Sequence, residues 1–126
     1  EFDKICQQQN IHVLHPYNLG WGGLVTVISP NGPSLDILKR PEEDFTELNV
    51  IDYLVGYMQF WGEPQPWLEE TVERYKNESE SLPPPQLSIG SWMVSSMCTH
   101  LLFNICTGKY FKKFPEFYLN TMMECL

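Results

Sequence analysis

The sequence predicts a small α+β protein in which an N-terminal β-hairpin packs on about four helices. β-branched residues are concentrated in the first forty positions, and apolar residues recur at helical spacing after position 44. The composition, 43% hydrophobic and 19% charged, is typical of a globular chain. Because 126 residues are enough for one hydrophobic core, we expect a single domain.

The predicted hairpin lies in the first forty residues. A short apolar run at residues 11–14 precedes two runs that contain β-branched residues, at residues 24–28 and 35–38. These two runs flank the sequence PNGP at residues 30–33, and an Asn-Gly pair between such runs is typical of a hairpin turn. We expect this hairpin to pack on the helices that follow, because an isolated hairpin is only marginally stable in water.

The strongest predicted helix begins at an Asp44 N-cap, with Glu47 as its capping-box partner, and ends at Gly62. A second helix, from about residue 67 to residue 76, follows Pro66, since proline suits the first turn of a helix. Residues 77–86 predict a flexible loop, because three consecutive prolines cannot continue a helix. The apolar stripe of the first helix contains Leu48, Ile51, Leu54, Val55 and Met58.

The last two helices are predicted to form an antiparallel pair. Residues 87–106 carry no formal charge, but their Ser, Thr, His and Asn side chains argue against a transmembrane helix. We therefore expect a buried central helix, with Trp92 in the core. The final helix is predicted over residues 115–126.

The four cysteines predict two disulfides. Cys98 and Cys106 would be separated by on the order of 12 Å along one helix, which exceeds the limit of about 7 Å between bonded Cα atoms. Two pairings of the four cysteines then remain. An antiparallel helical pair places Cys98 opposite Cys125, which leaves Cys6 to pair with Cys106. The alternative is four reduced, buried thiols.

The net charge of −8 is unevenly distributed. Residues 42–80 contain eleven acids and two bases, a net charge of −9, and the rest of the chain is at +1. Since this acidic region repels phosphate and anionic lipid, we expect no nucleic-acid partner and no insertion into a membrane. The cluster Lys109, Lys112 and Lys113 is interpreted as a solvated turn between helices.

The sequence predicts neither a metal site, nor a cofactor, nor a catalytic site. His12 and His15 are three positions apart, and such a step along a strand directs two side chains to opposite faces. The close cysteine and histidine pairs of zinc sites are missing from the sequence. No cysteine lies at a recognisable helix N-terminus, where a reactive thiolate would be stabilised. We therefore predict that the protein is not an enzyme.

Aromatic residues provide the candidate binding site. Tryptophan and tyrosine beside acidic side chains suit the recognition of another protein with a basic surface. The alternative is that the rings fill the core at a corner between two helices. Trp21, which lies among three glycines, is a second candidate. Four of the candidates surround the predicted break between the two acidic helices: Tyr57, Phe60, Trp61 and Trp67.

These features predict a non-catalytic protein-recognition domain in the extracellular space or secretory lumen, as an ectodomain or a segment of a larger protein. The compartment follows from the even cysteine count and from Asn77, which begins an N-glycosylation sequon. Glu1-Phe2 is typical of a cloning remnant. One alternative is a cytoplasmic adaptor or viral host-interaction module with free thiols. The other is a small carrier of apolar ligands.

Overall fold

The computed structural model describes residues 1–78 and 86–123. Within these residues it has a three-stranded antiparallel sheet and four α-helices, so the predicted α+β class is confirmed. The single domain stays a prediction. The chain divides into two compact units, the sheet unit (residues 1–34 and 86–122) and the helical unit (residues 35–85 and 123–126).

A β-hairpin forms the centre of the sheet unit. Strands β1 (Val13–Asn18) and β2 (Gly22–Ile28) are antiparallel, with Val13 opposite Ile28. The chain reverses at residues 19–21, where Gly20 has a φ of +80°, a left-handed conformation that glycine adopts without a steric penalty. The predicted N-terminal hairpin is therefore confirmed, but its turn precedes β2 instead of following it.

The strand predicted at residues 35–38 is wrong, because both edges of β2 pair with other strands. β3 (Tyr118–Thr121) is antiparallel to β2 on the side opposite β1. All seven residues of β2 are buried, as expected for a central strand that is covered on both faces. Leu35–Leu38 instead forms a short 3-10 helix in the helical unit.

β3 also replaces part of the helix predicted over residues 115–126, so the antiparallel helix pair is wrong. Leu119, Met122 and Met123 have helical spacing. In the extended conformation, however, residues 118–121 pair with the backbone of β2, which satisfies peptide groups on both strands. Residues 124–126 lie outside the described part of the chain.

Helix α1 (Phe2–Gln8) begins within the dipeptide that was interpreted as a cloning remnant. Asp3 is buried, and its Oδ1 lies 2.7 Å from Nε2 of His15 on β1. Gln7 Nε2 donates hydrogen bonds to the carbonyls of Ser29 and Gly32, both at 2.9 Å. These bonds attach α1 to β1 and fix the segment after β2, where the hairpin turn had been predicted.

Helix α4 (Ser88–Cys106) packs against β1 and β2 at short range. The approach requires glycine on both elements. A Cβ added to Gly90 of α4 would lie 2.1 Å from Asn18 Oδ1. A Cβ added to Gly23 of β2 would lie 2.6 Å from Val94 Cγ1. Because glycine has no side chain, Gly90 and Gly23 allow the short distance between the helix and the sheet.

The helix predicted at residues 87–106 is confirmed, but its burial is not. Its buried residues are Gly90 and Leu101, and Leu101 packs with Val25 and Val27 of β2. Trp92, which was expected in the core, is 77% exposed. The helix lacks charge on its exposed face as well as on its buried face, so the missing charge did not indicate burial. None of the helices in residues 1–78 and 86–123 is long and apolar enough to cross a membrane.

The helical unit contains the two helices that the middle of the sequence predicts, α2 (Glu47–Phe60) and α3 (Pro66–Glu78). The N-cap of α2 is Thr46 and not Asp44. Thr46 N donates to Asn49 Oδ1 at 2.7 Å, so Asn49 takes the place predicted for Glu47. Among the described residues of this unit, the buried apolar side chains are those of Leu35, Val50, Leu54, Leu68 and Val72.

The loop predicted at residues 77–86 is wrong at its first two residues. Asn77 and Glu78 belong to the last turn of α3. Residues 79–85, including the three prolines, lie outside the described residues.

Candidate functional site

The end of α2 positions the predicted aromatic residues. Gly62 has a φ of +74°, and its amide donates to the Gln59 carbonyl at 3.1 Å. The next amide donates to the Met58 carbonyl at 2.9 Å. Together these two bonds form the Schellman motif that ends many helices. The motif fixes the backbone that carries Phe60, the last helical residue, and Trp61, the C-cap.

Three of the predicted site residues form one surface, Tyr57, Phe60 and Trp61, which we call the aromatic surface. The Trp61 ring centroid lies 5.3 Å from that of Phe60, with the rings at 90°, and 6.2 Å from that of Tyr57. Edge-to-face packing at such distances is favourable. The Tyr53 ring extends the row, 6.1 Å from Tyr57. Tyr53 is not among the residues predicted for the site, although its four-residue spacing from Tyr57 is the signal of a shared helix face.

The aromatic surface is open to solvent at its end. Phe60 is 80% exposed and Trp61 is 63% exposed, so the alternative that these two rings fill the core is wrong. Tyr57 and Tyr53 are half-buried. Burial, and then the proximity of Tyr57, raises the pKa of the Tyr53 phenol.

Trp67 has a structural role in the same unit. Its ring is half-buried, and its Nε1 donates to Gln65 Oε1 at 3.0 Å. Gln65 is itself buried, and its Nε2 donates to the Glu63 carbonyl at 3.3 Å. These bonds order the segment between α2 and α3. The indole N–H of Trp67 is therefore already used within the protein.

Trp21 lies in the sheet unit, at the turn between β1 and β2, and is 50% exposed. Its carbonyl accepts a hydrogen bond from Thr121 Oγ1 at 3.1 Å, which attaches the turn to β3. The five predicted aromatic residues are thus divided between the units. Four belong to the helical unit and one belongs to the sheet unit.

The aromatic surface belongs to a strongly acidic unit, which has thirteen acids, four bases and a net charge of −9. Arg40 and Lys76 both contact Asp52, at 2.9 Å and 2.6 Å. Arg74 pairs with Glu70 one turn away on α3. Because three of the four bases are held in these ion pairs, the excess negative charge is available to attract a cationic partner.

The cysteines in the described part of the chain are free thiols. The predicted Cys6–Cys106 disulfide is wrong, since both thiols are free. It was the pairing left over once an antiparallel helical pair had placed Cys98 opposite Cys125, and that helical pair does not exist because the chain after α4 continues into β3. Cys98 is also free, and its predicted partner Cys125 lies outside the described residues. Burial raises the pKa of the Cys98 thiol, which disfavours a thiolate nucleophile at this position.

The glycosylation candidate Asn77 is exposed in the last turn of α3. It was predicted in a loop, so its exposure agrees with the sequence analysis and its conformation does not. The hydroxyl residue of the sequon, Ser79, lies outside the described residues.

The histidines near β1 have separate partners. His12 contacts the Phe111 ring, with centroids 5.5 Å apart, whereas His15 is bonded to Asp3. Among the residues that the structure describes, no three His, Cys, Asp or Glu side chains are grouped to hold a metal ion.

A cavity of about 470 Å³ lies between α4 and β3. Its volume is within the range of small-molecule sites, roughly 300–1,000 Å³. Both apolar and polar side chains line it: Ser96, Met97, His100, Leu101, Asn104 and Tyr118. The mixed lining does not favour the alternative of a purely apolar ligand.

No protein-family model, curated protein or solved structure matches the chain. A functional proposal therefore depends on the geometry and charge of the described residues.

Proposed function

We propose that the protein is a non-catalytic recognition domain that binds a basic segment of a partner protein at the aromatic surface. The observation that carries this proposal is the contact between Phe60 and Trp61. The two rings are packed edge to face, yet they are 80% and 63% exposed. Large apolar side chains grouped at a surface are typical of interaction sites.

The helix end makes the site suitable for binding without reorganisation. The Schellman bonds at Gly62 hold the backbone, and the contacts with Tyr57 and Phe60 restrict the Trp61 ring. Binding of a partner therefore costs less free energy for ordering these side chains than binding to a flexible loop would cost. Rigid aromatic anchors of this kind dominate the binding free energy of many interfaces.

The net charge of −9 on the helical unit supports a basic partner over an acidic one. Lysine or arginine can also stack on the face of an exposed tryptophan, a contact that contributes about 0.5–1 kcal/mol at exposed sites. An arginine-rich segment would use both the charge of the unit and the face of Trp61. Long-range attraction would mainly raise the association rate.

An extracellular or luminal location remains part of the proposal. The exposed Asn77 supports it, and the free thiols Cys6, Cys98 and Cys106 are a feature of the cytoplasmic alternative. Expression with a secretion signal in a mammalian cell tests whether the sequon at Asn77, on which the location depends, is used. Asn77 is expected to carry glycan, and a secreted protein that stays unmodified at Asn77 would remove this support.

The binding proposal is tested by titrating the full chain with an arginine-rich peptide and with a peptide of the same length in which glutamate replaces arginine. The arginine peptide is expected to shift the NMR signals of residues 57–61. Trp61→Ala should weaken its binding about tenfold, the typical loss for an aromatic anchor. Trp92→Ala is the matched control, because Trp92 is a tryptophan of similar exposure in the other unit. Equal losses in the two variants, or stronger binding of the glutamate peptide, would contradict the proposal.

A further inference from the structure

The segment after α4 borders a second cavity, of about 620 Å³, in the sheet unit. One wall is His12, which directly precedes β1. The other walls come from residues 108–116. The full lining is His12, Gly108, Lys109, Tyr110, Phe111, Lys113 and Glu116, and we call this cavity the lysine pocket.

We propose that the lysine pocket binds a small aromatic oxyanion, such as an aryl phosphate or an aryl sulfate. The site is separate from the aromatic surface and does not depend on the function proposed for it. The inference combines three features of the pocket: two lysines held by rings, an open aromatic wall, and a backbone that is fixed before any ligand binds.

The two lysines of the pocket are oriented by aromatic rings. Lys109 Nζ lies 4.8 Å from the centroid of the Phe103 ring, and Lys113 Nζ lies 5.4 Å from the centroid of the Phe111 ring. These cation–π contacts position both ammonium groups without neutralising them. Among the described residues, neither lysine forms an ion pair with a carboxylate.

Glu116 is the acidic member of the lining, so the pocket has a net charge of +1 when His12 is neutral. Protonation of His12 raises the net charge to +2. The net positive charge of the pocket therefore depends on the protonation of His12. This charge favours a ligand that carries one or two negative charges.

Rings form the remaining wall. Tyr110 is 80% exposed, and Phe111 packs its ring against the His12 imidazole in an edge arrangement with an interplanar angle of 77°. A flat ring can stack on an exposed tyrosine while the attached oxyanion contacts the two ammonium groups. The cavity volume is within the range of about 300–1,000 Å³ that small-molecule sites occupy.

The pocket backbone is held at several points. Gly108 has a φ of +67°, which turns the chain away from α4, and Lys109 N donates to the Asn104 carbonyl at 2.9 Å. Phe114 is buried, and its amide donates to the Val27 carbonyl of β2 at 2.8 Å. Such pre-organisation reduces the entropic cost of binding a ligand.

His12 provides a readout of binding. Burial, and then the charge of Lys113, lowers the pKa of His12. The charged groups that share the pocket with it are Lys109, Lys113 and Glu116. A bound oxyanion would offset the repulsion from the lysines and stabilise the imidazolium, so the His12 pKa should rise on binding.

Calorimetric titration of the full chain with phenyl phosphate at pH 7.5 and an ionic strength of about 0.15 M, where the Debye length is about 8 Å, tests the proposal. Lys113→Gln should weaken binding about tenfold, the expected loss of one charge-assisted contact. Lys112→Gln is the matched control, because Lys112 stacks on Tyr118 and does not line the pocket. It should change the affinity by less than about twofold. Equal losses in the two variants, or no binding of phenyl phosphate at millimolar concentration, would overturn the site.

Two further probes define the ligand class. Inorganic phosphate and phenol should each bind more weakly than phenyl phosphate. If either one bound with the same affinity as phenyl phosphate, the proposal of an aromatic oxyanion as the ligand would be overturned. NMR titration with saturating benzenesulfonate, which stays charged across the histidine range, should raise the pKa of His12. A His12 pKa that does not move would contradict binding beside its ring.

Discussion

The two units of the chain both expose aromatic rings, but they surround those rings with opposite charge. The helical unit has a formal charge of −9, and its exposed rings at Phe60 and Trp61 stand at the end of α2. The sheet unit has a formal charge of +1, and its exposed Tyr110 borders a pocket with two lysines. Similar side chains therefore suit different ligands, a basic peptide in one unit and a small oxyanion in the other.

The units also differ in how they use glycine inside a helix, and this difference predicts the largest effect. Gly90 on α4 contacts β1, and an added Cβ would lie 2.1 Å from Asn18 Oδ1 and 2.9 Å from the Gly22 carbonyl oxygen. Gly90→Ala should therefore lower the free energy of unfolding by about 2–3 kcal/mol, as overpacked cores do. Denaturant unfolding measures this change.

Gly56 on α2 is the control for that substitution. Nothing lies within 4 Å of a Cβ added there, so Gly56→Ala should raise the free energy of unfolding by about 0.5–1 kcal/mol through helix propensity. The two variants should shift stability in opposite directions. A stabilising Gly90→Ala would mean that the contact between α4 and β1 is looser than described.

Substitution of two glycines with left-handed backbone conformations should have a smaller effect on the free energy of unfolding. One of these glycines lies beside the aromatic surface, and the other lines the lysine pocket. Gly62 and Gly108 have φ values of +74° and +67°, and neither has an atom within 4 Å of an added Cβ. Alanine at either position should cost about 1 kcal/mol of unfolding free energy through backbone strain alone. Thermal unfolding of the two variants should give similar losses.

The binding consequences of these two variants should be separate. Gly62→Ala should weaken the binding of the arginine-rich peptide and leave the binding of phenyl phosphate unchanged. Gly108→Ala should weaken the binding of phenyl phosphate and leave that of the peptide unchanged. Loss of both ligands in one variant would show that the substitution acts through general destabilisation.

The smallest effect concerns the thiols of the sheet unit. Cys98 is half-buried with a raised thiol pKa, whereas Cys106 is exposed. At pH 8 iodoacetamide should therefore alkylate Cys106 faster than Cys98, on the order of tenfold, because less Cys98 is present as thiolate. Peptide mapping by mass spectrometry measures both rates.

A thiol titration of denatured, unreduced protein completes that test. The free state of Cys6, Cys98 and Cys106 predicts a count of at least three. A count of zero would restore the two disulfides that the sequence predicts.

Local patterns in the sequence were sufficient for α2, α3 and α4 and for the aromatic surface. The apolar stripe around Leu54 predicts α2, and rings spaced three or four residues apart place Tyr57, Phe60 and Trp61 together once that helix is assigned. The α+β class follows from the β-branched run that became β2.

Non-local pairing explains what the sequence did not show. Leu119, Met122 and Met123 have helical spacing. Residues 118–121 nevertheless pair with a strand nearly a hundred positions earlier, which periodicity cannot indicate. The lysine pocket was missed for the same reason, because His12 and Lys113 come from opposite ends of the chain. Trp92 was misplaced because an uncharged helix can still expose one face.

The most direct test of the central claim uses both ligands on one sample. The full chain, labelled for NMR, is titrated first with the arginine-rich peptide and then with phenyl phosphate. The peptide should shift signals of residues 57–61 alone, and phenyl phosphate should shift signals of His12 and residues 108–116 alone. Both ligands shifting the same residues, or the peptide binding at residues 108–116, would contradict the assignment of opposite ligand preferences to the two units.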